Sequence, residues 1–234
     1  MTPAPVLSPT LLPEADQRLV RTVDGLTGEE LSAPSLLPGW TRAHVVAHLT
    51  LNGEALQRVL QGRRRGEAVP MYDSPEARDR DIDHLALADP AVLRERLLAA
   101  VTRFGVAQEA MTEEDAAATF ERTPGGRVIR IGNVALMRLR EVEIHHADLD
   151  AGYSALDWPA AFCAVLIESM TKYQDSAPFR VLARDLARTW QLGDGEGGPL
   201  VAGDAAAIGW WLTGRGHGEG LDCDAGELPE VSAW

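Results

Sequence analysis

The chain predicts an α+β fold in two parts: a helical bundle over residues 1–152 and a small α+β domain over residues 158–234. Three observations predict it. Before Gly152, four long segments carry apolar residues at spacings of three and four, the mark of amphipathic helices. After Gly152, residues 179–184 alternate in the manner of a strand, with Phe179, Val181 and Ala183 on one face, and residues 187–192 are again strand-like. A length of 234 residues suits one large domain or two small ones.

Leu12, Ala15, Leu19, Val23 and Leu26 give the first helix, over residues 11–26. Gly28 breaks it, and Pro34 and Pro38 make residues 32–39 a loop. Thr41 is a suitable N-cap for a second helix running to about Gln61, with Val45, Leu49, Leu56 and Leu60 facing a core. His44, His48 and Asn52 share an adjoining face, and Gly53 weakens the helix locally. Residues 62–90 are the least regular part of the first half. Arg63-Arg64-Arg65 reads as a solvated helix end, and a short helix is expected over residues 75–87. Asp73, Glu76, Asp79, Asp81 and Asp83 lack the glycine and closing glutamate of an EF-hand loop, so they read as a solvated acidic face.

Asp89-Pro90 starts the third long helix, with proline at its first position and Leu93, Leu97, Val101 and Phe104 as its stripe. It ends near Met111. Residues 113–130 form a connection that turns at Pro124-Gly125-Gly126, with residues 127–131 briefly extended. The fourth long helix follows, with Ala135, Leu139, Val142, His146 and Leu149 on one stripe. Beyond Gly152, Asp157-Trp158-Pro159 opens another helix carrying Phe162, Leu166 and Met170. The two strand-like segments can pair as a hairpin, and residues 193–198 form a Gly-rich turn without the spacing of a phosphate loop. Residues 205–213 are a short helix ended by Gly214, and the tail from Gly216 reads as loop.

The chemistry concentrates on the fourth long helix. Arg138, Glu141, His145 and Asp148 form a second stripe beside the apolar one. Glu141 and His145 are an i, i+4 pair, so their side chains start roughly 5–6 Å apart on one face and can share a metal ion. Such a pair also decorates many solvated helices, so a third ligand is needed. His48 is the natural candidate, because it sits well inside the second helix among Val46, Ala47, Leu49 and Leu51. His44 is its rival, but lies in the first turn, nearer solvent. Three protein ligands leave open positions, which suit a catalytic metal more than a structural one. Two histidines and one carboxylate fit zinc, and they also fit nickel or non-haem iron.

Composition limits the partners. A net charge of −13 argues against nucleic acid and anionic membrane surfaces. An acidic protein that binds an acidic small molecule needs a local cation, either a metal or an arginine. Cys163 and Cys223 are the only cysteines and form no metal-spaced cluster, which points to a reducing compartment. With no signal peptide at the N-terminus and no apolar run long enough to span a bilayer, the expectation is a cytoplasmic monomer acting on a small molecule.

Several motifs together resemble a known family. Gly39-Trp40-Thr41, Ala47-His48-Leu49 and the stretch from Arg140 to Leu149 are similar to the mycothiol-dependent maleylpyruvate isomerases. So are Trp158-Pro159, Arg188-Thr189-Trp190, Gly203, Trp211-Leu212-Thr213-Gly214-Arg215 and the closing Leu228-Pro229 and Trp234. The resemblance implies a DinB-like four-helix metal-binding bundle followed by the family's own C-terminal domain. It implies His48, Glu141 and His145 as zinc ligands, in agreement with the residue-level choice, and Arg215 as a catalytic residue pointing into the site from the second domain. The implied reaction is isomerisation of maleylpyruvate to fumarylpyruvate with mycothiol as cofactor. Rotation about a C=C bond requires its double-bond character to be removed for a moment, and a thiolate does this by adding and then leaving. Zinc would keep that thiol deprotonated. Asp148 would orient His145 or its neighbour. Two alternatives remain open: a mycothiol S-transferase acting on another electrophile, and a metal-dependent binding module without turnover.

Overall fold

A computed structural model describes residues 8–172, 174 and 176–232; Trp234, the last element of the resemblance, lies outside the described residues. The chain divides into two compact units, Pro9–Gly152 and the segment from Tyr153 onward.

The first unit is helical. It contains α1 (Leu11–Gly25), α2 (Gly28–Ser32), α3 (Arg42–Arg65), α4 (Pro75–Ala86), α5 (Pro90–Glu109), α6 (Glu113–Ala117), a hairpin of β1 (Thr119–Glu121) and β2 (Val128–Arg130), and α7 (Val134–Asp148). Helices α1, α3, α5 and α7 form the four-helix bundle: α3 packs on α5 and α7, and α1 packs on α7 and α5. Their starts follow from local chemistry. The Thr41 side chain accepts from the His44 backbone N–H, and the His44 ring in turn takes the Thr41 backbone N–H. Asp89 caps α5 through a 2.8 Å bond from the Ala91 N–H, with Pro90 at the first position. Helix α3 runs four residues beyond Gln61, because Gly66 adopts the left-handed conformation (φ 73°) that closes it.

The apolar stripes meet as the spacing requires. Leu19, Val45, Leu49, Leu56, Leu60, Leu139 and Val142 are fully buried, each stabilising the fold by about 1.5–3 kcal/mol. A cluster of Leu56, Val59, Leu60, Phe104, Ile131 and Val134 joins α3, α5 and the start of α7. Helix α7 departs from the expectation of one buried stripe. Arg138, Glu143 and Asp148 are buried together with the residues of that stripe, because its neighbours enclose it. Three short elements also differ from expectation. Helix α2 forms inside the segment read as a break, through a capping box between Thr27 and Glu30. Helix α6 forms within the connection through an equivalent box between Thr112 and Asp115. Strand β1 supplies the partner for the extended segment 128–130, pairing Phe120 with Ile129.

Two glycines of α3 offer a test of its packing. A Cβ on Gly53 would meet the Arg138 guanidinium and Ala100 at 3.4–3.6 Å, which is ordinary contact. Gly53→Ala should therefore stabilise the protein by up to about 1 kcal/mol through helix propensity. A Cβ on Gly62 would lie 2.5 Å from Val69 Cγ2, and Gly62→Ala should cost about 1–3 kcal/mol of overpacking. Urea denaturation of both variants checks this; shifts of the same sign would refute it.

The second unit carries α8 (Ala160–Met170), β3 (Phe179–Ala183), β4 (Arg188–Leu192), β5 (Leu200–Gly203), α9 (Ala205–Leu212) and β6 (Asp222–Cys223). The sheet has the order β4-β3-β5-β6, with β3 antiparallel to β4 and parallel to β5, and β5 antiparallel to β6. The hairpin of residues 179–192 is thus formed as its alternation predicts, and Phe179, Val181 and Ala183 point to the buried face. Helices α8 and α9 pack against each other and against this sheet. Strands β5 and β6 were not expected, and β6 lies in the tail read as loop. Both are short and take their order from pairing with β3 and with each other. Gly198 closes the Gly-rich turn, where a Cβ would collide with the Pro178 carbonyl oxygen. No helix among the described residues is long and apolar enough to cross a membrane.

Candidate metal centre

His48 lies in the buried interior of α3, and Glu141 and His145 lie one turn apart on α7, the helix packed beside it. The packing brings the three together. His48 Nε2 is 2.8 Å from Glu141 Oε2, and His145 Nε2 is 3.3 Å from the same oxygen. Each residue offers one ligand atom, all within 4.8 Å of one another, the only such group of His, Cys, Asp or Glu among the described residues. The two imidazoles stand edge to face, with centroids 4.7 Å apart. Two nitrogens and one oxygen converging on one point match the donor set and spacing that a divalent ion takes in a tetrahedral site with an open position.

Asp148 sets the direction of His145. Its fully buried carboxylate lies 2.8 Å from His145 Nδ1. A carboxylate only accepts, so Nδ1 carries a proton, which leaves Nε2, the nitrogen facing Glu141, as the ring atom that a metal would take in place of a proton. His48 is arranged differently: its Nδ1 lies 3.2 Å from Arg78 Nη2, and the Trp40 ring packs 5.7 Å away. Burial pushes the His48 imidazole down to about 4, so it is neutral and able to act as a ligand at neutral pH. Burial opposes the charge of Glu141, yet hydrogen bonds with His145 and His48 hold its carboxyl well below the usual range. Burial likewise opposes the charge of His145, but hydrogen bonds with Asp148 and Glu141 hold its ring above the usual value.

The neighbouring candidates fall elsewhere. His44 Nδ1 lies 2.7 Å from Thr41 Oγ1 in the helix cap, so its ring serves the start of α3. Glu143 accepts from Arg18 Nη2 at 2.6 Å, and His146 Nε2 lies 2.8 Å from Thr22 Oγ1; both contacts reach α1. One turn before Glu141, the fully buried Arg138 donates to the Leu49 carbonyl at 2.7 Å and to Asn52 Oδ1 at 2.9 Å. Asp16 of α1 lies 3.7 Å from its Nη2. Spacing along the chain did not single out Arg78 or the buried role of Arg138. Arg78 lies in a segment rich in charges of both signs, and nothing local marks it.

Arg215 follows α9 in the second unit. Its Nη1 donates to the Thr213 carbonyl at 3.1 Å, and its guanidinium lies 5.7 Å from the centre of the Trp210 ring. Neither cysteine belongs to the metal cluster.

Comparison with known proteins identifies the family. The family model described as the mycothiol maleylpyruvate isomerase N-terminal domain matches residues 12–150. A crystal structure of the mycothiol-dependent maleylpyruvate isomerase is similar with a TM-score of 0.86 and 30% identity, covering 96% of this chain and 95% of that one. A histidine-to-alanine mutant of that enzyme is similar with a TM-score of 0.84 and 29% identity, over 96% and 95% of the two chains. YfiT from Bacillus subtilis, described as a probable metal-dependent hydrolase with an unusual four-helix bundle topology, shares the fold. Its TM-score is 0.51 at 20% identity, over 64% of this chain and 90% of that one. A search of curated proteins finds no match. The match over more than half of the chain and the 30% identity across nearly all of it show that the chain belongs to the mycothiol maleylpyruvate isomerase family.

Proposed function

We propose that this chain catalyses the mycothiol-dependent cis-trans isomerisation of maleylpyruvate to fumarylpyruvate, at a divalent metal held by His48, Glu141 and His145. The observation that carries the reading is the convergence of His48 Nε2, Glu141 Oε2 and His145 Nε2 on one buried point. A bound metal, with zinc the first choice for two nitrogens and one oxygen, supplies the positive charge that keeps a thiol deprotonated at neutral pH. The chain's own residues do the rest. Asp148 holds the His145 ring with its lone pair forward, the neutral His48 supplies the second nitrogen, and the ionised Glu141 offsets part of the cation's charge. Because Cys163 and Cys223 stand outside the cluster, the nucleophilic sulfur comes from the external thiol. In this reading Arg215 holds a carboxylate of the substrate or the thiol through its planar fork.

The test is metal analysis of the purified protein, then incubation with mycothiol and maleylpyruvate. Isomerisation returns the thiol unchanged; consumption of the thiol would assign S-transfer instead, and the absence of bound metal would sink both. Arg215→Ala should cut turnover or raise the substrate KM at least about tenfold, the value of a charge-assisted hydrogen bond. Metal content and Tm should stay near wild type. Arg215→Lys keeps the charge but loses the fork, so it should remain impaired. Wild-type kinetics in Arg215→Ala would return this arginine to a structural role beside Trp210.

A further inference from the structure

A groove of about 360 Å3 is lined by Arg58, Met71, Tyr72, Arg78 and Arg96 among others. Arg78 connects it to the metal centre, because its Nη2 lies 3.2 Å from His48 Nδ1. The acidic residues lining the groove are Glu54, Asp73 and Asp81. Glu54 is committed to Arg96, which it holds in a bidentate pair at 2.7 and 2.8 Å, and the charge of Asp81 also acts on Arg96. Arg58 makes no ion pair among the described residues, and its hydrogen bond to the Met71 carbonyl is long, at 3.4 Å. Arg78 is paired at 2.6 Å with Asp79, a largely exposed carboxylate whose hold is weakened by solvent. Its Nε is buried with no hydrogen-bond partner. Two guanidinium groups with donor capacity to spare therefore line one groove, beside a metal centre, in a protein of net charge −13.

The contact between Arg78 and His48 limits what Arg78 can do at a loaded centre. A guanidinium only donates. A neutral imidazole that gives its Nε2 lone pair to a metal keeps its proton on Nδ1, so it has no lone pair left for Arg78. Next to such a ring, Arg78 keeps Asp79 on Nη1 but loses the acceptor of Nη2, which is then free for a ligand in the groove that Arg78 lines. The Tyr72 ring, 5.9 Å from the guanidinium carbon, supports it from one side.

We propose that this groove is a carboxylate-binding subsite of the first unit, in which Arg78, aided by Arg58, holds the carboxylate of a small organic anion beside the metal centre. The proposal rests on the reading above for the presence of a metal on His48. It adds the residues of this unit that select anionic ligands.

The probe is maleate, a stable dicarboxylate, titrated calorimetrically into the full chain with zinc added and no thiol present. Wild type should bind it. Arg78→Gln should weaken binding at least about tenfold and Arg58→Gln should weaken it too, whereas the exposed Arg64→Gln should not. Zinc affinity measured by chelator competition should be no weaker in Arg78→Gln than in wild type, because the guanidinium beside His48 opposes a cation there. If Arg78→Gln fails to fold, Arg78→Lys replaces it, with maleate affinity between wild type and no binding. Absence of maleate binding by wild type, or equal binding by wild type and both variants, would overturn the proposal. An Arg78-dependent maleate site in a protein that does not turn over maleylpyruvate would leave the subsite standing and end the isomerase reading instead.

Discussion

His145→Ala is expected to reduce bound metal from about one equivalent per chain to near zero, and mycothiol-dependent turnover to the uncatalysed rate. The ring supplies one of three converging ligand atoms, and neither of its neighbours can replace it. His146 reaches Thr22 on α1, and His44 is engaged in the Thr41 cap. The fold should survive. Leu139, Val142 and Leu149 remain buried, and the main structural cost is a buried Asp148 carboxylate without its 2.8 Å partner, about 1–3 kcal/mol. Asp148→Ala keeps all three ligands but removes the acceptor that orients one of them, so metal affinity should fall by about 10–100-fold. His44→Ala is the control: it should retain metal and lose about 1 kcal/mol of helix capping. Elemental analysis of dialysed protein with thermal melts separates these outcomes. Wild-type metal content in His145→Ala would refute the assignment, and loss of metal in His44→Ala would transfer the third ligand to His44.

The largest effect on stability should come from Arg138→Ala, a loss of about 3–5 kcal/mol. Arg138 is fully buried and links α1, α3 and α7 through Asp16, the Leu49 carbonyl and Asn52. Truncation leaves the buried Asp16 carboxylate without its nearby cation and opens a cavity. Its pH dependence has a definite sign. Burial already pushes the Asp16 carboxyl above its usual value, with Arg138 partly offsetting this. A raised carboxyl favours the folded state at low pH, and that contribution is lost as pH rises through the folded value. Without Arg138 the carboxyl rises further, so the deficit of the variant should be smaller below about pH 4, where only the cavity and the lost hydrogen bonds remain, and grow above it. The pair Asp16→Asn with Arg138→Met removes both charges and should recover much of the loss. Urea denaturation across pH measures all three. A deficit under about 1 kcal/mol, or one that does not change with pH, would show that the cluster does not hold the helices together. Arg138 and Asn52 lie one turn from Glu141 and His48, so the same cluster ties together the stretches of α7 and α3 that carry the proposed ligands.

The sequence by itself determined the four long helices and the hairpin of residues 179–192. Their periodicities extend over enough residues to be decisive, and caps such as Thr41 and Asp89-Pro90 are local chemistry. It also determined that Glu141 and His145 share a face, because a helix imposes that geometry internally. Shorter elements were not legible. Helices α2 and α6 span five residues each and strands β1, β5 and β6 span two to four. Segments that short carry little periodic signal, and the strands take their order from their pairing partners. The choice of His48 over His44 leaned on depth within the helix; the physical reason, that the His44 ring completes the Thr41 cap, lies in side-chain geometry. Only tertiary structure decided that Arg138 is buried, that Asp148 serves His145 rather than His146, and that Arg78 stands between His48 and a groove. Each depends on side chains brought together from different helices. Spacing along the chain has no term for such contacts, whereas burial gives them their energy.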